Sequence, residues 1–215
     1  MSWPGFSRYQ GVLFVAFVMA TLVLSWNPRY PEDQVLQHIP TVLSALLLVA
    51  TARRLPLSNA SFTLFIAFLL LHVVGARWVY TFTPYDDWTE ALFGVRLGEE
   101  LGWRRNHFDR FVHFSFGLLC FYPFREVLAR LARPRRGWAS WFALELILAA
   151  SLAYELIEWS MALIFAPETA DRYLGQQGDA WDAHKDSALA ALGGVIALAL
   201  LVMGRRAGAA LRRAP

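Results

Sequence analysis

Acids, histidines and arginines concentrate in three stretches of this 215-residue sequence. The first is Arg104-Arg105-Asn106-His107-Phe108-Asp109-Arg110-Phe111-Val112-His113-Phe114. The second is Tyr154-Glu155-Leu156-Ile157-Glu158-Trp159. The third is Gln176-Gln177-Gly178-Asp179-Ala180-Trp181-Asp182-Ala183-His184-Lys185-Asp186. On a helix, Asp109 and His113 stand four apart, and His107, Arg110 and His113 step by three, so they share a broad face. Ser151, Glu155 and Glu158 line one face in the same way, as do Asp179, Asp182 and Asp186.

Carboxylates joined by one or two imidazoles form a donor set for a divalent metal ion. The candidate ligands are Glu155, Glu158, Asp179, Asp182, Asp186, His107 and His113. Glu155, Glu158, Asp109, His113 and Asp182 are the candidate catalytic residues. A carboxylate left free by the ion could act as general base on a water whose pKa the ion lowers. Arg104, Arg105, Arg110 and Lys185 are candidates for binding substrate through a phosphate or other anion.

The elements that must position these residues are apolar spans. More than half of the chain is apolar, at 57%, and the mean hydropathy is positive. Such a composition, split by short charged loops, marks a membrane protein. Six segments emerge near Gln10–Ser25, Leu36–Ala52, Phe62–Thr81, Phe108–Phe124, Trp138–Phe165 and Ala183–Met203. Each must be a helix, because backbone polar groups in lipid need internal partners. Some are shorter than the usual span of about 20 residues and are expected to extend into their polar flanks. The first follows Arg8 and lacks a small-x-small cleavage site, so it reads as a retained helix rather than a signal peptide.

The arginines set the orientation. Arg8, the Arg53-Arg54 pair, the run from Arg125 to Arg136 and the tail from Arg205 to Arg213 fall on one side if the spans alternate, which places that side in the cytoplasm. The expected fold is therefore all-α: a polytopic transmembrane helix bundle of about six spans, with both termini inside and one domain over residues 1–215. Ordered outer-side loops are expected near 82–106 and 166–179. In this topology the three polar stretches meet at one depth near the outer face, and Ala190 with Gly194 supplies a small-residue seam for close packing. The basic balance does not indicate nucleic-acid binding, because the arginines sit in loops between apolar spans. Cys120, the lone cysteine, excludes an intrachain disulfide and a thiolate zinc cluster.

Each charge buried in the bilayer costs about 2.5–3.5 kcal/mol on an insertion scale, and the acids here outnumber the nearby cations. Three readings compete for the cluster. One is a divalent-metal site of a hydrolase or transferase acting on a lipid or lipid-linked substrate. The second is a cation site of a small transporter or ion-binding protein. The third is a non-enzymatic scaffold whose ion pairs only set helix register. The sequence leaves the substrate, the metal and the oligomeric state open.

The run from Trp103 to Phe114, followed by Tyr122-Pro123-Phe124-Arg125-Glu126, resembles the YjdF-like family of bacterial inner-membrane proteins. So do Tyr154-Glu155 with Glu158-Trp159, and Gln177-Gly178-Asp179 with Trp181-Asp182-Ala183 and Lys185-Asp186. The Gly-Asp start of the last span is also similar, more weakly, to VanZ-like membrane proteins. The resemblance implies a multi-pass protein of the bacterial inner membrane with the lipid bilayer as its surroundings. It implies no activity.

Overall fold

A Cβ placed on Gly117 would lie 1.9 Å from the carbonyl oxygen of Ala190, and one placed on Gly193 would lie 2.1 Å from that of Phe114. Two helices can approach so closely only where side chains are missing, and small residues serve this purpose in membrane bundles. The contact holds the centre of the computed structural model, which describes residues 5–135, 137–164 and 175–211.

Eight helices occur among those residues: α1 (Arg8–Leu24), α2 (Pro31–Thr51), α3 (Asn59–Arg77), α4 (Tyr85–Phe93), α5 (Leu97–Glu100), α6 (Phe108–Leu131), α7 (Trp138–Ile164) and α8 (Asp182–Leu211). No strand is present among the described residues. The six long helices correspond to the six apolar segments, and six of their twelve ends are lengthened into the flanking residues.

α1, α2 and α3 share one apolar core, in which Phe14, Phe17, Leu48, Phe62 and Ile66 are buried. α6, α7 and α8 share a second, built on Phe121, Ala143, Ile147 and Ala190. α3 packs against α6 and joins the two halves. At one end of that joint, the Ser58 backbone N–H donates to Glu126 Oε1 at 3.0 Å and its hydroxyl to Oε2 at 2.8 Å. A carboxylate there complements the unpaired N–H groups that open α3.

Four helices, α2, α3, α7 and α8, are long and apolar enough to cross a membrane. α1 has 17 residues, or about 25 Å of rise against a hydrocarbon core of about 30 Å. α6 has 24 residues but carries charges at both ends, Asp109 and Arg110 at one and Arg125, Glu126 and Arg130 at the other.

The connection 82–106 contains α4 and α5. Arg96 ties the two together, with ion pairs to Asp87 and Glu90 at 2.8 Å and to Glu99 at 2.9 Å. Of the connection expected over 166–179, residues 166–174 lie outside the described residues. From Gly175 the chain turns into α8, and the Trp181 N–H donates to Asp179 Oδ1 at 3.0 Å.

Candidate metal centre

The start of α6, the end of α7 and the start of α8 lie at the same end of the bundle, because these neighbours alternate in direction. Their polar residues form two tiers. The outer tier is a closed set of ion pairs. Arg105 Nη1 reaches Asp182 Oδ1 at 2.5 Å and Nη2 reaches Oδ2 at 3.1 Å, while the same guanidinium donates to the carbonyls of Gly175 and Gln176 at 2.9 Å each. Arg110 Nη2 contacts Asp179 Oδ2 at 2.5 Å and Asp182 Oδ1 at 3.1 Å. Lys185 Nζ closes on Asp179 Oδ2 at 2.5 Å. The Lys185 ammonium, the Trp181 N–H and Arg110 hold the Asp179 carboxyl well below the usual carboxylate range.

In the inner tier the charges do not close in this way. One ligand atom each from Asp109, His113 and Asp186 lies within 4.8 Å of the other two, and all three residues are buried. Glu155 Oε1 stands 3.5 Å from His113 Nε2, and Asp109 Oδ1 stands 3.8 Å from the same nitrogen. His113 Nδ1 faces the Ser151 hydroxyl at 3.5 Å. Asp186 Oδ1 and Glu155 Oε1 are buried with no hydrogen-bond partner among the described residues. An orphaned carboxylate oxygen in such a setting is costly and calls for a partner.

This arrangement sorts the residues expected from sequence. Asp109, His113, Glu155 and Asp186 come together. Glu158 is buried near Glu155 on the α7–α8 side, where both line a pocket with Asp182. Asp179 and Asp182 are engaged by Arg105, Arg110 and Lys185 in the outer tier. His107 is not part of the inner tier: its ring stacks on Trp103 at 4.3 Å and its Nδ1 lies 3.5 Å from Arg110 Nη1. Burial, with Arg110 and Arg105 nearby, lowers its pKa from the ordinary value. Arg104 is exposed and makes no ion pair among the described residues, whereas Arg110 keeps a buried, unused Nε–H.

A second polar group adjoins the inner tier without appearing among the sequence candidates. His72 Nε2 lies 2.9 Å from the Gln37 carbonyl, and Tyr80 Oη contacts His72 Nδ1. The carbonyl can only accept, so His72 carries its proton on Nε2 and receives the tyrosine hydroxyl on Nδ1. Tyr154 Oη donates to Gln37 Oε1 at 3.0 Å. His72, Tyr80 and Tyr154 border a cavity of about 180 Å³ that also reaches Asp109 and His113. The signal was present on α2, where Gln34, Gln37, Thr41 and Ser44 repeat at helical spacing along an otherwise apolar span.

Fold and site together define a multi-pass helical membrane protein with a buried carboxylate–imidazole cluster at one end of its bundle. The family model described as "Predicted membrane protein (DUF2238)" matches residues 9–207. The inner membrane protein YjdF of Escherichia coli (strain K12) is 32% identical over 194 residues, covering 88% of each chain. The chain belongs to this family and is a protein of the bacterial inner membrane. No solved structure matches it.

Proposed function

We propose that this protein is a membrane-embedded, metal-dependent hydrolase or transferase acting on a lipid-type substrate. The observation that carries the reading is the inner tier, where three buried donors converge beside carboxylate oxygens without hydrogen bonds. Ligand atoms about 2.1 Å from one ion lie at most about 4.2 Å apart, so small side-chain adjustments would close a shell on Asp109, His113 and Asp186. Mixed carboxylate and imidazole donors suit zinc, manganese or iron.

A divalent ion there would supply an activated water and polarise a substrate carbonyl or phosphoryl oxygen. The chain's own groups support that chemistry. Glu155 Oε1 is placed to take a proton at the site, and Ser151 orients His113 through Nδ1. Arg110 keeps a buried Nε–H as a donor to offer an anionic substrate group. The same reading takes all six long helices as crossings, with the arginine-rich ends of α6 and α8 in the cytoplasm and the cluster toward the outer face.

Transport of a cation through this site is the weaker reading. Below the cluster, the close contact of α6 with α8 and the buried Phe121, Ala143 and Ile147 leave an apolar plug instead of a polar path. The test is incubation of the purified protein with mixed-lipid vesicles, with and without a chelator, and product analysis by mass spectrometry. A lipid product that disappears with chelator and in Glu155→Gln supports the enzyme. Ion flux in proteoliposomes without any lipid product supports transport. Neither lipid product nor flux, with folding lost in Glu155→Gln, leaves the structural scaffold.

A further inference from the structure

We propose that the cleft between α2 and α7 binds one hydrocarbon chain of a membrane lipid, which enters sideways from the bilayer and places its polar end at Asp109 and His113. Two cavities lie end to end in this cleft and share Ser44. The first, of about 180 Å³, runs from Asp109 and His113 past Thr41 to Ser44. The second, of about 330 Å³, continues along Leu47, Leu48 and Thr51 toward Leu131. From Pro40 to Thr51 the α2 wall rises about 16 Å, close to the roughly 15 Å of one leaflet's hydrocarbon.

The cleft is open because α2 rests mainly on α3. α2 is hydrogen-bonded to α7 at the polar end, where Tyr154 donates to Gln37. Pro40 lines the first cavity and Pro123 the second. Each withholds a helical hydrogen bond and prevents a straight, tightly packed wall. Thr41 Oγ1 is buried beside the first cavity with no hydrogen-bond partner among the described residues.

The lining selects the occupant. The second cavity is lined mainly by Leu and Phe and disfavours water. The first carries Thr41, Ser44, His72 and Tyr154 beside Asp109 and His113, so polarity falls along the cleft from one end to the other. In a bilayer the side of such a cleft meets lipid tails, and a single flexible hydrocarbon chain with a polar end has the same gradient. The position of its polar end rests on the function proposed above, whereas the chain-binding cleft does not.

The test is native mass spectrometry of the full-length protein released from nanodiscs of native lipid. Wild type is expected to retain one lipid molecule, and its mass separates an acyl lipid from an isoprenoid one. Ser44→Trp, at the junction of the cavities, is expected to lower that occupancy at least tenfold. Leu43→Trp, on the exposed face of α2, is expected to leave it unchanged. If Ser44→Trp does not fold, Ser44→Phe gives the same comparison with less added volume. Full retention in the folded Ser44 variant, or no retained lipid in wild type, overturns the proposal. Manganese binding measured on the same samples separates the two proposals. Lipid loss in Ser44→Trp without metal binding in wild type would sink the enzyme and keep the cleft.

Discussion

Arg105 grips Asp182 through both arms of its guanidinium, at 2.5 and 3.1 Å, and thereby fixes the start of α8 against the loop before α6. Asp182 is 3% exposed, so the pair sits where an uncompensated charge is expensive. The planar fork matters as much as the charge, because lysine offers one point donor. The pair also leaves the inner tier free, since Asp182 is satisfied before any ligand arrives.

Arg105→Ala should destabilise the protein by about 1–3 kcal/mol, less than the roughly 3–5 kcal/mol of stranding a buried charge outright, because Arg110 still reaches Asp182 Oδ1 at 3.1 Å. Arg105→Lys should fall between the two. Thermal unfolding in a mild detergent reads the order. In the double variant Arg105→Ala/Asp182→Asn the loss should be smaller than the sum of the single losses, because each single change already removes the contact between the two. Additive losses would show that the two residues act independently.

Gly117 and Gly204 predict opposite signs for one substitution. Gly117→Ala forces a methyl group against the Ala190 carbonyl and should cost about 1–3 kcal/mol through separation of α6 and α8. Gly204→Ala meets nothing within 4 Å and should gain up to about 1 kcal/mol from helix propensity. Melting midpoints of both variants check this. Equal shifts would remove the close contact as an organising feature.

The depressed pKa of Asp179 gives the outer tier a pH signature. A carboxylate held below its unfolded value adds stability that is fully present above that value, about 3.9, and is lost as pH falls through the folded one. The difference in melting midpoint between wild type and Asp179→Asn should therefore stay constant from pH 8 to about pH 5. It should then shrink below about pH 4. A difference unchanged down to pH 3 would mean that Asp179 is not held ionised by Lys185 and Arg110.

Much of this site is legible in the chain. Asp109 and His113, four apart on α6, and Glu155 and Asp186 near matching helix ends announce themselves by type and spacing. Which carboxylates the arginines neutralise is not legible. That depends on the rotation and register of α6 against α8, which Gly117 and Gly193 fix by letting backbones touch. In the sequence, Ala190 and Gly194 mark the α8 side of that seam, whereas a single glycine among large residues marks its partner on α6. The stripe on α2 is uncharged and so a weak signal, although a glutamine in an apolar span needs a partner as surely as an acid does. The helix α4 is readable in retrospect, since acids fill its first turn and Gly94 ends it at φ 72°, a left-handed cap that favours glycine.

Whether Asp109, His113 and Asp186 hold a divalent ion is read by elemental analysis of the protein, purified without chelator and exchanged into manganese or zinc. Wild type should carry about one ion per chain, Asp186→Asn and His113→Ala should lose at least fivefold, and His107→Gln, whose ring lies on Trp103, should retain it fully. A folded wild-type protein that holds no ion, or an Asp186→Asn variant that keeps its full complement, would contradict the metal site.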